Sequence, residues 1–209
     1  MLGIQNYEMF LLAGIVLNIT PGSDTIYILS RSVAQGKRGG IYSVFGIISG
    51  VAIHTIMAAL GLSAILSTSA TAFAAVKMIG AMYLGYLGLT TLLAKENKLI
   101  SLTDTTHMTP RNIYFQGLIT NVLNPKVALF FLSFLPQFIA PSNTYGLLPF
   151  LCLGITFIIT GTTWCLLLVL FSSRMSAYLR ENEKTAFITN KVCGTIYLGL
   201  GVKLLTAEK

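Results

Sequence analysis

Lys77-Met-Ile-Gly80-Ala-Met-Tyr83-Leu84-Gly85 returns later in the chain as Lys191-Val-Cys-Gly194-Thr-Ile-Tyr197-Leu198-Gly199, and the pattern K-x-x-G-x-x-Y-L-G matches at five of nine positions. Two halves of a 209-residue chain therefore end alike. One membrane unit used twice is a hallmark of secondary transporters, whose site lies where the repeats meet.

Composition agrees with a membrane setting. The chain is 54% hydrophobic and 10% charged, with a mean hydropathy of +0.75. Soluble domains carry roughly 25% charged residues. About 20 apolar residues cross a ~30 Å hydrocarbon core, and six such stretches are read at 6–30, 40–66, 71–94, 113–138, 145–171 and 185–206. They consume the chain and leave no room for a soluble domain.

The net charge of +7 is a topology signal, not a nucleic-acid footprint. Arg31, Lys37 and Arg38 follow the first stretch, Lys95, Lys98 and Arg111 the third, and Arg174, Arg180, Lys184 and Lys191 the fifth. Basic loops face the cytoplasm, so both termini are expected outside, in a multi-pass protein of the plasma membrane. The start, Met1-Leu-Gly-Ile-Gln5, lacks a signal peptide's basic region, so the first helix is expected to be retained.

Three spans per half force the second half to insert upside down. The expected fold is an all-α membrane protein of six transmembrane helices in a 3+3 inverted repeat. Residues 1–94 form the first repeat, 95–112 a cytoplasmic linker and 113–209 the second repeat, within one membrane domain. Gly46 and Gly50 stand four apart as a small-residue seam.

Helices one and four are expected to be broken. Asn18-Ile-Thr20-Pro21-Gly22-Ser23-Asp24 interrupts the first, and Asn121-Val-Leu-Asn124-Pro125-Lys126 the fourth. Proline removes a backbone donor, and broken backbone at membrane depth is tolerated only inside protein or beside a water-filled cavity. Tyr7 to Pro21 and Arg111 to Pro125 are both fourteen positions, which sets each break ~21 Å from its flank, near mid-bilayer. The two arrive from opposite faces.

Asp24 and Lys126 follow the two prolines with opposite charge. Ionisable groups at that depth face a cavity or a partner. Either they form an ion pair that pins the halves together, or they line a site for a zwitterion, with Asp24 on the ammonium. Lys126 and a half-helix N-terminus would then take the carboxylate. Asn18, Thr20, Pro21, Gly22, Ser23, Asn121, Asn124 and Pro125 complete this substrate-binding set. His54 lies well inside the second span and serves either as a donor to a backbone carbonyl or, with Asp24, as a proton relay. Trp164, central in the fifth span, reads first as core packing, with cavity lining as the alternative.

Ile19-Thr20-Pro21-Gly22-Ser23-Asp24-Thr25, Ser30-Arg31-Ser32, Gln35-Gly36-Lys37-Arg38-Gly39-Gly40, Leu123-Asn124-Pro125-Lys126 and Phe134-Leu135-Pro136-Gln137-Phe138 together resemble the LysE/RhtB family of amino-acid exporters. The similarity covers nearly the whole chain. It implies a small inner-membrane carrier, proton-driven and homodimeric, with an amino acid as substrate and no cofactor. Where the family has P-G-P-[ND], this chain has Pro21-Gly22-Ser23-Asp24; the acidic form fits neutral substrates such as homoserine or threonine, and a similar site could serve leucine or a basic amino acid.

Two other functions compete with amino-acid export. A divalent-cation transporter needs clustered oxygen or thiolate ligands, yet Asp24 is the clear intramembrane carboxylate and Lys126 opposes a cation. A membrane thiol-disulfide enzyme needs two cysteines that meet; Cys152 and Cys165 are thirteen residues apart, ~20 Å along one helix, and Cys193 has no evident partner. Neither metal nor catalytic residues are assigned.

Overall fold

The computed structural model describes residues 2–69 and 107–172, with single helical positions between 71 and 93 and between 191 and 199. The expected spans 71–94 and 185–206 lie largely outside the described residues. So do most of the 95–112 linker, the 173–184 loop, Lys77, Tyr83, Tyr197 and Cys193.

The described chain is helical, apart from one isolated antiparallel bridge. Helix α1 (Tyr7–Ile19) buries Phe10, Ala13, Gly14 and Leu17, the i, i+3, i+4, i+7 stripe of a helix with one packed face. Pro21 has no N–H to give the carbonyl of Leu17, so α1 ends and Gly22 is extended at φ −157°. The chain coils again as α2 (Ser23–Thr68). This 46-residue element has two arms, because Gln35 and Gly36 leave the helical region. Gly36 sits at φ +70°, where a side chain would be strained.

Helix α3 (Pro110–Val122) starts cleanly. Pro110 occupies the first turn, and the Thr109 hydroxyl accepts from the amide of Asn112 at 3.3 Å. Asn124 then caps the five-residue α4 (Pro125–Leu129), its Oδ1 accepting from the amide of Lys126 at 3.0 Å. The axis bends by 48° between Pro110–Val122 and Pro125–Phe138. Before Pro136 the coil loosens into a π-helix (Phe130–Phe134), then tightens into a 3-10 turn (Leu135–Phe138). Helix α5 (Leu148–Leu170) follows. Helix α2 over Ser23–Ile65 and helix α5 are each long and apolar enough to cross a membrane, and α3 with its bent continuation makes a third candidate.

Glycine sets the α2–α3 distance. A Cβ on Gly46 would overlap the carbonyl of Tyr114, and one on Gly117 would lie 3.0 Å from the carbonyl of Ser43. The small-residue seam expected of Gly46 and Gly50 is thus an internal contact. The Tyr27 hydroxyl donates to the carbonyl of Ile113 at 2.7 Å across the same face.

Two buried clusters lie on either side of the α1–α2 break. One is aromatic: Phe130 meets Phe134 at 4.9 Å and Phe157 at 5.0 Å between ring centroids, and Phe10 meets Phe138 edge-on at 5.3 Å. The other gathers Ile28, Leu29, Val44, Ile47, Leu168 and Val169. Between them the core is incomplete.

Candidate functional site

Each proline orphans one carbonyl, and a side chain answers it. Pro21 leaves the oxygen of Leu17 without its helical donor; Lys126 Nζ donates to it at 2.8 Å, and to the carbonyl of Thr20 at 2.8 Å. Pro125 does the same to Asn121, whose oxygen lies 3.2 Å from His54 Nε2 and 2.9 Å from the amide of Asn124. A carbonyl only accepts, so His54 carries its proton on Nε2. Leu17 and Asn121 stand 104 residues apart, as do Pro21 and Pro125.

The breaks meet. Asn121 Nδ2 donates to Asp24 Oδ2 at 2.8 Å, tying the end of α3 to the start of α2. Ser23 Oγ makes a long contact of 3.5 Å to the other carboxylate oxygen. Asp24 occupies the first turn of α2, where the helix dipole favours an anion. Lys126 covers the C-terminal carbonyls of α1, where the dipole favours a cation. An ideal Cβ at Gly22 would lie 3.4 Å from this ammonium, in van der Waals contact.

Asp24, Lys126, Asn121, Asn18 and Gly22 all line one cavity, together with an apolar wall that includes Ile47, Val51, Phe157 and Trp164. The space within it open to water is about 30 Å³, enough for a water or two and too small for an amino acid. Thr20 turns its hydroxyl onto the carbonyl of Val16 at 2.7 Å. Asn124 is buried as a cap, His54 is buried behind Asn121, and Ser23 and Pro125 are exposed. Asn121 Oδ1, Asn124 Nδ2 and Trp164 Nε1 are buried without a hydrogen-bond partner.

Of the wall contributed by α5, the sequence pointed to Trp164 alone, as the alternative to core packing. Phe157, Gly161, Trp164 and Cys165 face the cavity, an i, i+4, i+7, i+8 stripe on one helical face. That periodicity was present in the sequence, but all four residue types also suit packing. Cys152 and Cys165 are free thiols. Among the described residues no group of three or more His, Cys, Asp or Glu comes together.

The LysE type translocator family model matches residues 15–208, most of the chain. The protein belongs to the LysE type translocator family. It is a membrane transporter and not an enzyme. Similar proteins include the leucine efflux protein of Salmonella typhimurium, 29% identical over 206 residues that cover 99% of this chain and 97% of the relative. An uncharacterised membrane protein of Vibrio cholerae is 29% identical over 207 residues, covering 98% of each. One from Pseudomonas aeruginosa is 28% identical over 210 residues, covering 99% of this chain and 97% of the relative. No solved structure matches. In this LysE type translocator, the cavity at the two breaks is therefore the candidate transport site.

Proposed function

We propose that this translocator exports a neutral amino acid with an apolar side chain from the cell. The observation that carries the reading is the Asp24–Asn121 junction, a carboxylate and an unpartnered amide oxygen, on a cavity that Lys126 also lines. The ammonium of the substrate sits between Asp24 and Asn121 Oδ1, and its carboxylate faces the side of Lys126. Leu17, Ile47, Ile48, Val51, Val127 and Phe157 suit a leucine-like side chain better than the hydroxyl of homoserine or threonine, since a buried hydroxyl needs partners. One relative of 29% identity points the same way, being named for leucine efflux.

The cavity is closed too tightly for substrate, so α1–α2 and α3–α4 separate during an alternating-access cycle. That cycle requires the full 3+3 inverted repeat, in a homodimer of the plasma membrane with both termini outside; the basic loops support this orientation. Proton binding at Asp24 neutralises the ammonium's partner and so couples release to the proton gradient. His54 acts behind it, holding Asn121. The test is export of labelled leucine from proteoliposomes with and without an imposed pH gradient. Gradient-accelerated export that Asp24→Asn reduces at least tenfold supports the reading; export by Asp24→Asn at the parent rate refutes it.

A further inference from the structure

We infer that Trp164 is a specificity-determining residue, its indole N–H donating to the carboxylate of the substrate. This rests on the amino-acid export reading. Two of the three donors of the Lys126 ammonium already go to the carbonyls of Leu17 and Thr20, so it supplies mainly charge on that side of the cavity. A carboxylate brought into the cavity still needs a directional donor. Trp164 lines the same cavity from α5, and its Nε1–H is buried with no acceptor. Indole has one donor and no acceptor, so an anionic oxygen is what completes it. Buried donors are rarely left unmade in a folded protein; here the missing acceptor arrives with the substrate.

Trp164 is the only tryptophan in the chain, which makes its emission a direct reporter. In purified parent protein, saturating leucine should shift tryptophan emission, and 3-methylbutylamine, which lacks the carboxylate, should not. Emission unmoved by saturating leucine would overturn the assignment. In proteoliposomes the parent should prefer leucine over leucinamide. Trp164→Phe should erase at least tenfold of that preference and raise KM more than it lowers kcat, while Trp164→His, which keeps a ring N–H, restores part of it. Trp164→Phe with the parent's KM and preference would remove the role of Trp164 and leave export standing. If the parent exports no amino acid, both readings fall.

A separate observation carries a second inference. Residues 3–5, just before α1, are strapped to 138–140: Gln5 N donates to the carbonyl of Phe138 at 2.9 Å, Ala140 N to that of Gly3 at 2.8 Å, and Ile4 bridges Ile139. Met108, just before α3, is clamped by Gln35 at the kink of α2. Gln35 Nε2 donates to its carbonyl at 2.8 Å, and its amide donates to Gln35 Oε1 at 3.0 Å. Ile4 and Met108 are 104 residues apart, and so are Gln35 and Ile139. A latch thus occurs at both pairs of positions with its partners exchanged, main chain to main chain at one and through the Gln35 side chain at the other, at opposite ends of the broken spans. We propose that these are the two gates of the cycle, one released at a time. Ile4→Cys with Ile139→Cys should form a disulfide under mild oxidation that stops export, and reductant should restore it. Failure to cross-link, or full export while cross-linked, would overturn the gate.

Discussion

Asn121 is where the local chemistry converges. Its main-chain oxygen faces His54 and its side chain holds Asp24, so a change at His54 acts through position rather than charge. His54→Phe keeps the ring stacked on Phe131, now 6.0 Å between centroids, and removes one carbonyl partner. The expected loss of stability is about 1 kcal/mol, with the pH-gradient dependence of export retained; Asp24→Asn should flatten that dependence. Lys126→Met leaves the carbonyls of Leu17 and Thr20 without this donor, and chemical denaturation in detergent should show a loss of about 2 kcal/mol or more. The sequence marked Asp24 and Lys126 by their depth, their places after the two prolines and their opposite charges, and His54 by its depth. A backbone carbonyl was among the readings for His54, and Asn121 supplies it; the carbonyls that hold Lys126 were not legible, because they become acceptors only once Pro21 has broken the helix.

At the scale of the element, a break is a trade of hydrogen bonds. Pro21→Ala returns an N–H to the carbonyl of Leu17 and competes with Lys126 for it. Such a variant should unfold no more easily than the parent and should export at least tenfold more slowly, read from denaturation and proteoliposome uptake side by side. Gly46→Ala should behave in the opposite way. Its new methyl meets backbone of α3 and cannot be accommodated by a rotamer change, so a cost of about 1–3 kcal/mol is expected. Both breaks and the Gly46–Gly50 seam were legible, since proline and glycine act on their own backbone. The π-helix at Phe130–Phe134 was not, although Pro136 follows it; apolar residues fit α and π turns alike. The kink at Gln35 and Gly36 also escaped, hidden among the polar residues of a loop boundary.

For the whole molecule, the apolar runs disclosed the helical membrane class, and the equal spacing to Pro21 and Pro125 anticipated that the breaks would meet. The closed state of the cavity was not readable from sequence, because it depends on how α5 packs across the two halves. Lys191 Nζ donates to the carbonyl of Leu92 at 2.7 Å, which joins the start of the last apolar stretch to the end of the third. The central claim is that a zwitterion bridges the acid of one break and the positive side of the other. Calorimetric titration of purified protein with leucine and with 4-methylpentanoate, which lacks only the ammonium, tests it most directly. Leucine should bind the parent at least tenfold more tightly than 4-methylpentanoate, and Asp24→Asn should lose that difference. Equal binding of the two compounds by the parent, or an undiminished leucine preference in Asp24→Asn, would contradict it.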